Sequence, residues 1–336
     1  METMTNQSEN TMVNSSSQEK LAKRIFSSFV QSQALILLVF LIVVSGVITA
    51  MAPRFLQVSN LGVVTRQASF VALVSLGQMT CLIGGVIDLS VGSIAGIAGI
   101  FAAMLMNKEL VDPYLAMVIG VLIGAAIGAI NGLLVTKMDL NPFIVTLSMS
   151  FIISGLILVV TGGWAIPDMP QKIQWIGKES LGPVPIPTLI TLIVAFILAF
   201  FLNRTYIGRH IFAMGGNKDA AILVGIPVHR LTILVYMISG SLAAMAGVIM
   251  VARLASGQPT IGATWQMPSF AAPILGGAAL SGGAGSVLGT LVGATIMAVI
   301  QNGIVMTGMS VYWENVVVGV VLVTAIIIDR IRRQRA

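Results

Sequence analysis

Long apolar stretches without any charged residue alternate with short polar segments along most of this chain. A helix needs about 20 predominantly apolar residues to cross the hydrocarbon core of a bilayer. Seven of the stretches fit one crossing each, the stretch 254–313 fits two, and a last crossing is expected near 311–328. The pattern therefore predicts an all-α, polytopic transmembrane helix bundle of about ten helices. The charge-free stretches are residues 25–53, 67–87, 89–107, 113–136, 140–167, 180–203, 231–252 and 254–313.

The polar segments divide the chain into three predicted parts. A polar tail, 1–30, precedes a transmembrane domain, 31–330, and a short basic tail, 331–336, follows it. The start of the chain also has features of a signal peptide, but its apolar stretch is longer than the about 7–15 residues of a signal core. Because Pro53 directly follows the small residues that mimic a cleavage site, we predict a retained first helix.

Charge is scarce and unevenly placed. Only 9% of the residues are charged, whereas a soluble domain carries about 25%. The net charge of +6 raises nucleic-acid binding as an alternative, but the basic residues flank apolar stretches and form no patch with interleaved aromatic residues. With the N-terminus in the cytoplasm and ten crossings, 12 of the 18 basic residues lie on the cytoplasmic side. This bias follows the positive-inside rule, so we predict cytoplasmic termini and a multi-pass protein of the cell inner (plasma) membrane. The six basic residues predicted outside are Arg54, Arg66, Lys108, Lys172, Lys178 and Arg253.

Glycines recur at helical spacing in several apolar stretches. Gly120, Gly124, Gly128 and Gly132 follow one another every four residues, which places them on one helix face. Small residues on one face let membrane helices approach closely, so this stripe predicts dense packing and identifies no substrate. A weak internal echo pairs the Gly84-Gly85 region with the Gly276-Gly277 region, and chance, a shared packing need or true duplication explains it.

Several polar residues interrupt the apolar stretches. Asp88 is the only charged residue between 67 and 107, and a carboxylate at membrane depth must face protein, water or a helix end. We interpret it first as a cap of a helix that starts near Leu89, and otherwise as part of a gate or translocation path. The remaining candidates either hydrogen-bond between helices or line that path together. They are Gln78, Ser90, Ser93, Asn131, Gln301 and Asn302.

A polar insert, 203–230, contains the signals of one complete short helix. Asn217 is a favourable N-cap and Asp219 suits the first turn, while Gly225 is a natural residue just past the C-terminus. The helical body, 218–224, is shorter than the about 12 residues that an isolated helix needs in water. It must therefore dock on the bundle or on a partner protein, and these residues alone leave both open.

Common catalytic and nucleotide-binding motifs are missing. The sequence has no Gly-rich phosphate-binding loop ending in Gly-Lys-Ser/Thr, so the chain does not itself bind ATP in that manner. His210 and His229 lack metal-ligand neighbours, and no nucleophile-base arrangement is evident. An enzyme is poorly supported. A transporter that moves a neutral or polar solute with external energy fits better, and a stand-alone secondary carrier or channel is the alternative.

The insert and the glycine-rich segments also carry a resemblance to a known family. From about Leu35 to Asp329, the chain resembles the permease subunit of ribose-type ATP-binding-cassette (ABC) importers, in the branched-chain amino acid/ribose permease superfamily. Val86, Trp265-Gln266 and Ala284 depart from the usual pattern. The matching segments are Ile87–Ser93, Gly208-Arg209 with Gly215–Asn217, Gln258-Pro259, Gly276-Gly277 through Gly282–Gly285, Gly289-Thr290 and Gln301–Gly303.

The resemblance implies a division of labour between subunits. A second permease copy, identical or a paralogue, would complete the pore, and cytosolic ABC ATPases would bind ATP and Mg²⁺, so this chain needs no cofactor. A periplasmic or surface sugar-binding protein would deliver the solute, for which the outer loop 162–187 is the expected landing place. The solute implied is a ribose-like monosaccharide, with autoinducer-2, a nucleoside or a branched-chain amino acid as alternatives.

The resemblance also turns the short helix of the insert into a coupling helix, the segment that seats in a groove of the ATPase. ATP binding would move this segment and switch the bundle between outward-open and inward-open states. The residues implied in the ATPase contact are Gly208, Arg209, Gly215, Gly216, Asn217, Lys218, Asp219, Ala220 and Gly225.

Overall fold

The computed structural model describes residues 33–310 and 312–335, which form an almost entirely helical bundle with one two-stranded hairpin. The predicted tail 1–30 lies outside the described residues, and helix α13 continues through most of the predicted basic tail. The helices are α1 (Gln33–Met51), α2 (Val58–Ile83), α3 (Val91–Asn107), α4 (Pro113–Lys137), α5 (Pro142–Thr161), α6 (Gln171–Lys178), α7 (Ile186–Arg204), α8 (Tyr206–Gly216), α9 (Lys218–Leu223), α10 (Val228–Leu254), α11 (Gln266–Leu275), α12 (Val287–Met306) and α13 (Trp313–Arg335).

Five of the described helices are long and apolar enough to cross a membrane, namely α4, α5, α7, α10 and α12. Shorter apolar helical segments lie within α1, α3 and α13. This composition establishes a multi-pass helical membrane architecture. Two further elements lie outside the long helices. They are a 3₁₀ turn at Pro53–Leu56 and a short antiparallel hairpin of β1 (Ser180–Leu181) and β2 (Val184–Pro185).

The longest charge-free stretch, 254–313, does not form two full crossings. Its first helix, α11, has 10 residues and spans about 15 Å, half of a bilayer core. An irregular segment, 276–286, then follows before α12 begins. Gly277, Gly282 and Gly283 adopt positive φ angles there, a conformation that glycine adopts without steric cost. The apolar count of the sequence could not distinguish this broken segment from a helix.

The centre of the bundle is α10, which packs along α2, α3 and α4. The glycine stripe predicted on α4 lies in this interface. A Cβ atom at Gly132 would lie 2.6 Å from Ile233 Cα, and one at Gly124 would lie 3.1 Å from the Gly240 carbonyl carbon. Because these distances leave no room for a methyl group, the two backbones are in close contact, as the four-residue spacing predicts.

The bundle has two chemically distinct ends. At one end, here called the Arg66 end, Arg66 donates a hydrogen bond to the Lys178 carbonyl (2.9 Å), and Lys172 forms an ion pair with Asp112 (2.6 Å). Lys172 lowers the pKa of the Asp112 carboxyl, and Asp112 raises the pKa of Lys172. Arg253 lies at the same end, with its guanidinium carbon 5.5 Å from the Phe70 ring centre. Four of the six basic residues predicted outside therefore gather at one end.

At the opposite end, here called the Lys218 end, the insert meets the last turn of α2. A cavity of about 580 Å³ there is lined by Gly84, Asp139, Gly216 and Lys218, among others. The C-terminus of α1 and the N-terminus of α13 both lie at the Arg66 end. Asn60, near the start of α2, bonds to Asn302 near the end of α12, and Gln301 of α12 bonds to Glu314 in the first turn of α13. Their other ends consequently point toward the Lys218 end, the side that carries the insert.

Candidate functional site

The polar insert folds as two consecutive helices, α8 and α9, each started by a side-chain cap. The Thr205 hydroxyl accepts a hydrogen bond from the Gly208 N–H (3.0 Å), and Asn217 Oδ1 accepts one from the Ala220 N–H (2.9 Å). Gly225 follows α9 with a φ of 80°. The predicted N-cap and C-terminal glycine of the short helix are confirmed. The separate helix α8 was not predicted, although its Thr205 cap is readable in the sequence.

Helix α9 and its C-cap residue, Val224, expose three consecutive apolar side chains. Its six residues dock on α8 and the start of α10 through Ala221, which is only 3% exposed. Leu223 is 87% exposed, Val224 75% and Ile222 51%. A helix this short does not hold its shape alone in water, and exposed adjacent apolar residues mark interaction surfaces. We call Ile222, Leu223 and Val224 the α9 patch.

The residues predicted to contact an ATPase divide into two groups. Gly208 is buried where α8 meets α7, since a Cβ there would lie 2.6 Å from the Leu202 carbonyl carbon. Gly215 is packed against α2. Their small size serves the packing of α8 on the bundle, so these two positions do not present a contact surface. The others are exposed: Arg209, Gly216, Asn217, Lys218, Asp219, Ala220 and Gly225.

The C-terminal end of α8 touches both breaks in the transmembrane helices. One break, 84–90, separates α2 from α3, and the other, 276–286, separates α11 from α12. A Cβ at Gly215 would overlap the Ile83 carbonyl oxygen and lie 2.7 Å from the Gly283 nitrogen. The Gly283 N–H also donates to the Ile83 carbonyl (2.9 Å). We call this backbone-only contact of Gly85, Gly215, Gly282 and Gly283 the glycine junction.

The glycine junction contains the first Gly-Gly segment of the weak sequence echo but not the second. Gly85, Gly282 and Gly283 all have positive φ angles, and a Cβ at Gly282 would lie 2.9 Å from the Gly85 Cα. Gly276 packs instead against α12, where its Cβ would lie 2.5 Å from the Thr290 nitrogen. The two Gly-Gly segments therefore have different neighbours, and the sequence alone contained no signal that the two breaks meet at α8.

Asp88 lies inside the first break and is fully surrounded by protein. The prediction that Asp88 caps a helix is wrong. Helix α3 begins at Val91, and its N-terminal N–H groups donate no hydrogen bond to the Asp88 side chain. Asp88 Oδ1 instead accepts from the Ser90 N–H (3.0 Å) and hydroxyl (2.6 Å), and Oδ2 accepts from the Ser239 hydroxyl (2.9 Å). Ser239 lies about 16 Å along α10 from Val228, which places this carboxylate deep within the bundle.

A hydrogen-bonded chain extends from Asp88 to α4. Asn131 Nδ2 donates to the Ser90 hydroxyl oxygen (2.9 Å), and the Ser93 hydroxyl donates to the Ser90 carbonyl (2.9 Å). Tyr236 also binds the break, by donating to the Ile87 carbonyl (3.0 Å). The bonds that Ser90 and Ser239 donate to Asp88 are charge-assisted, and such bonds stabilise a buried carboxylate. Asp88, Ser90, Ser93 and Asn131 thus form one cluster, and the sequence reading missed its α10 members, Tyr236 and Ser239.

The other predicted path residues lie elsewhere. Asn302 exchanges two hydrogen bonds with Asn60 on α2 (3.0 and 3.1 Å), and Gln301 accepts one from Gln67 (2.9 Å). These bonds connect α12 to α2 near the Arg66 end, remote from Asp88. Gln78 belongs to neither group: its side chain is buried, and both amide atoms lack a hydrogen-bond partner among the described residues.

Comparison with known proteins gives a consistent result. The family model described as "Branched-chain amino acid transport system / permease component" matches residues 60–326. The chain is 36% identical over 296 residues to the ribose import permease protein of Escherichia coli (strain K12), covering 87% of this chain and 92% of the relative. The ribose import permease protein of Bacillus subtilis (strain 168) is 37% identical over 312 residues, covering 92% and 96%.

A relative named for a different sugar is almost as similar. The D-allose transport system permease protein of Escherichia coli (strain K12) is 35% identical over 293 residues, which cover 87% of this chain and 90% of the relative. No solved structure matches the chain. The similarity to ribose and allose permeases extends over the transmembrane helices, the insert and both breaks.

Proposed function

Because the chain belongs to the branched-chain amino acid transport system permease family, we propose that it is the permease subunit of an ABC importer for a monosaccharide. The observation that supports this most is its identity of 35–37% with ribose and D-allose permeases along nearly their whole length. Ribose-like aldoses are the preferred solutes. Autoinducer-2, a nucleoside or a branched-chain amino acid remains the alternative within the same architecture.

The α9 patch is proposed as the contact with a cytosolic ABC ATPase. It is exposed, apolar and preceded by a firm cap, so it offers a partner about three side chains to bury without any refolding of α9. This assignment puts the Lys218 end and both termini in the cytoplasm, in agreement with the positive-inside bias. The ATPase binds ATP and Mg²⁺, and this chain is not itself an enzyme.

The glycine junction is proposed as the route by which the ATPase acts on the membrane helices. Since only Asn217 separates α8 from α9, and α8 touches both breaks, a displacement of α9 moves the 84–90 and 276–286 segments together. Packed interfaces of this kind switch between discrete arrangements. The Asp88 cluster ties the first break to α4 and α10, so the same displacement reaches the centre of the bundle.

A complete importer requires further subunits. A second permease copy, identical or a paralogue, completes the translocation pathway. A periplasmic or surface binding protein delivers the sugar to the Arg66 end, where the loop 162–187 presents Trp164, which is 80% exposed. Delivery by a separate protein is compatible with a permease that carries few charges at membrane depth.

Sugar uptake by the source organism tests the proposal. Deletion of the gene should abolish ATP-dependent uptake of one labelled aldose among ribose, allose and arabinose, and the wild-type gene should restore it. Uptake of all three sugars at the parental rate in the deletion strain contradicts the assignment to a monosaccharide. Solute flux through the purified chain in liposomes without any ATPase would favour the secondary-carrier alternative.

A single substitution tests the ATPase contact. Leu223→Glu places a charge in the centre of the α9 patch, and it should remove the ATPase from the purified complex without loss of folded permease, because Leu223 is 87% exposed. Leu181→Glu is the matched control, since Leu181 is 70% exposed at the Arg66 end. Equal co-purification of the ATPase with both variants contradicts the contact.

A further inference from the structure

A cavity of about 440 Å³ opens between the start of α11 and the first turns of α13, at the Arg66 end. Ligand sites are typically cavities of about 300–1,000 Å³ with apolar walls and a few converging polar groups. This cavity has that composition. Its polar lining is Thr264, Gln266, Glu314 and Asn315, and its apolar lining includes Pro268 and Val318.

The carboxylate in this cavity is held in place by the bundle. Gln301 Nε2 donates to Glu314 Oε1, and Gln301 Oε1 in turn accepts from Gln67 Nε2 (2.9 Å). This relay connects α13 through α12 to α2 and fixes the position of the Glu314 carboxylate. Within the described residues, Oε2 of Glu314 receives no hydrogen bond and no lysine or arginine pairs with the group. Glu314 is thus a positioned acceptor with free capacity.

We infer that this cavity is a binding site for the neutral, polyhydroxylated solute, with Glu314 as the acceptor for sugar hydroxyls. The inference rests on the proposed function. A carboxylate accepts two hydroxyl donors, while Gln266, Asn315 and Thr264 both donate and accept. Pro268 and Val318 offer apolar surface to the C–H groups of a sugar ring. An anionic solute would meet Glu314 without a compensating cation, so the lining selects against acids.

The position of the cavity suits the first contact of the solute with the permease. It lies at the Arg66 end, the end proposed to receive the binding protein, and Gln301 on its far side was already a predicted path residue. The site therefore contributes contacts to the solute after release, whereas the binding protein determines uptake affinity. Loss of Glu314 should accordingly reduce the maximal rate of uptake and leave the half-saturation concentration little changed.

Cysteine protection tests occupancy directly. Thr264→Cys puts a thiol on an exposed position of the cavity, and the native Cys81 is buried and does not compete for reagent. The imported aldose should slow modification of this thiol by a membrane-impermeant maleimide. Leu110→Cys, exposed at the same end but outside both the cavity lining and the loop 162–187, should react at one rate with and without sugar.

Glu314→Gln supplies the functional test. The amide keeps an oxygen for Gln301 but weakens acceptance of sugar hydroxyls, and a lost charge-assisted bond is expected to reduce maximal uptake about tenfold. Glu109→Gln, an exposed acid at the same end but outside both the cavity and the loop 162–187, should leave uptake unchanged. Parental uptake by Glu314→Gln, or sugar that is imported without protecting Thr264→Cys, overturns the site. If the deletion strain itself still imports the aldoses, the proposed function fails instead.

Discussion

Replacement of Gly215 by alanine tests the proposed link between α8 and the two helix breaks. The new methyl group would overlap the Ile83 carbonyl oxygen and lie 2.7 Å from the Gly283 nitrogen. To restore ordinary contact at 3.4 Å, Gly283 must move by about 0.7 Å, which lengthens its 2.9 Å hydrogen bond to Ile83. Overpacking costs about 1–3 kcal/mol, and a buried donor left without its acceptor costs about 1–3 kcal/mol more.

The expected result is a folded permease that binds its ATPase but transports poorly. Sugar uptake should fall strongly, and sugar-loaded binding protein should no longer stimulate ATP hydrolysis by the complex. Both are measured in proteoliposomes alongside the thermal midpoint of the purified complex. Gly216→Ala is the matched control, because a Cβ at Gly216 meets no atom within 4 Å, and it should behave as wild type.

A second control separates stability from coupling. A Cβ at Gly120 would lie 2.7 Å from Val248 Cγ1 and 3.0 Å from the Ala98 carbonyl oxygen, where α4 packs on α10 and α3 away from both α8 and the Asp88 cluster. Gly120→Ala should lower the thermal midpoint, yet the folded fraction should keep the normal ratio of sugar transported to ATP hydrolysed. If Gly215→Ala also keeps that ratio, the glycine junction does not transmit the movement of α9.

Three further predictions address other parts of the bundle. Asp88→Asn removes the charge that Ser90 and Ser239 stabilise. Because charge-assisted bonds contribute about 1.5–3 kcal/mol each, the thermal midpoint in detergent should fall. An unchanged midpoint contradicts the bonding described. Leucine substitutions of Asn60 and Asn302 should give a coupling free energy of about 0.6–1.7 kcal/mol in a double-mutant cycle, and additive effects refute their pairing. The Asp112–Lys172 pair stabilises the fold above the unfolded pKa of Asp112, and this contribution is lost as pH falls through the depressed folded value. Lys172→Met should therefore lower the midpoint at neutral pH and converge with wild type in acid, and a pH-independent difference contradicts this.

The sequence predicted the helical membrane class and the cap chemistry of the insert, because both depend on local composition. Apolar length marks a crossing regardless of its neighbours, and Asn217 and Gly225 have conformational preferences of their own. The spacing of the α4 glycines was equally informative, since it fixes one helix face. These features need no knowledge of which helix lies beside which.

Features that depend on contacts between distant segments were not predicted. The short helix α11 has an apolar composition like that of a full crossing, and only its packing reveals the break at 276–286. A buried Asp88 requires donors, but the sequence cannot say that Ser239, 151 positions away, supplies one. The path candidates were collected by polarity alone, which merged the Asp88 cluster with the separate Gln301 and Asn302 bonds.

The central claim is that α9 carries the ATPase contact, and photocrosslinking at Leu223 measures it most directly. A photoreactive amino acid at this position in the assembled transporter, in native membranes, should yield a covalent product with the cytosolic ATPase. The same amino acid at Leu181 should yield none. A crosslink from Leu223 to lipid alone, or to a protein on the outer face of the membrane, would contradict the account.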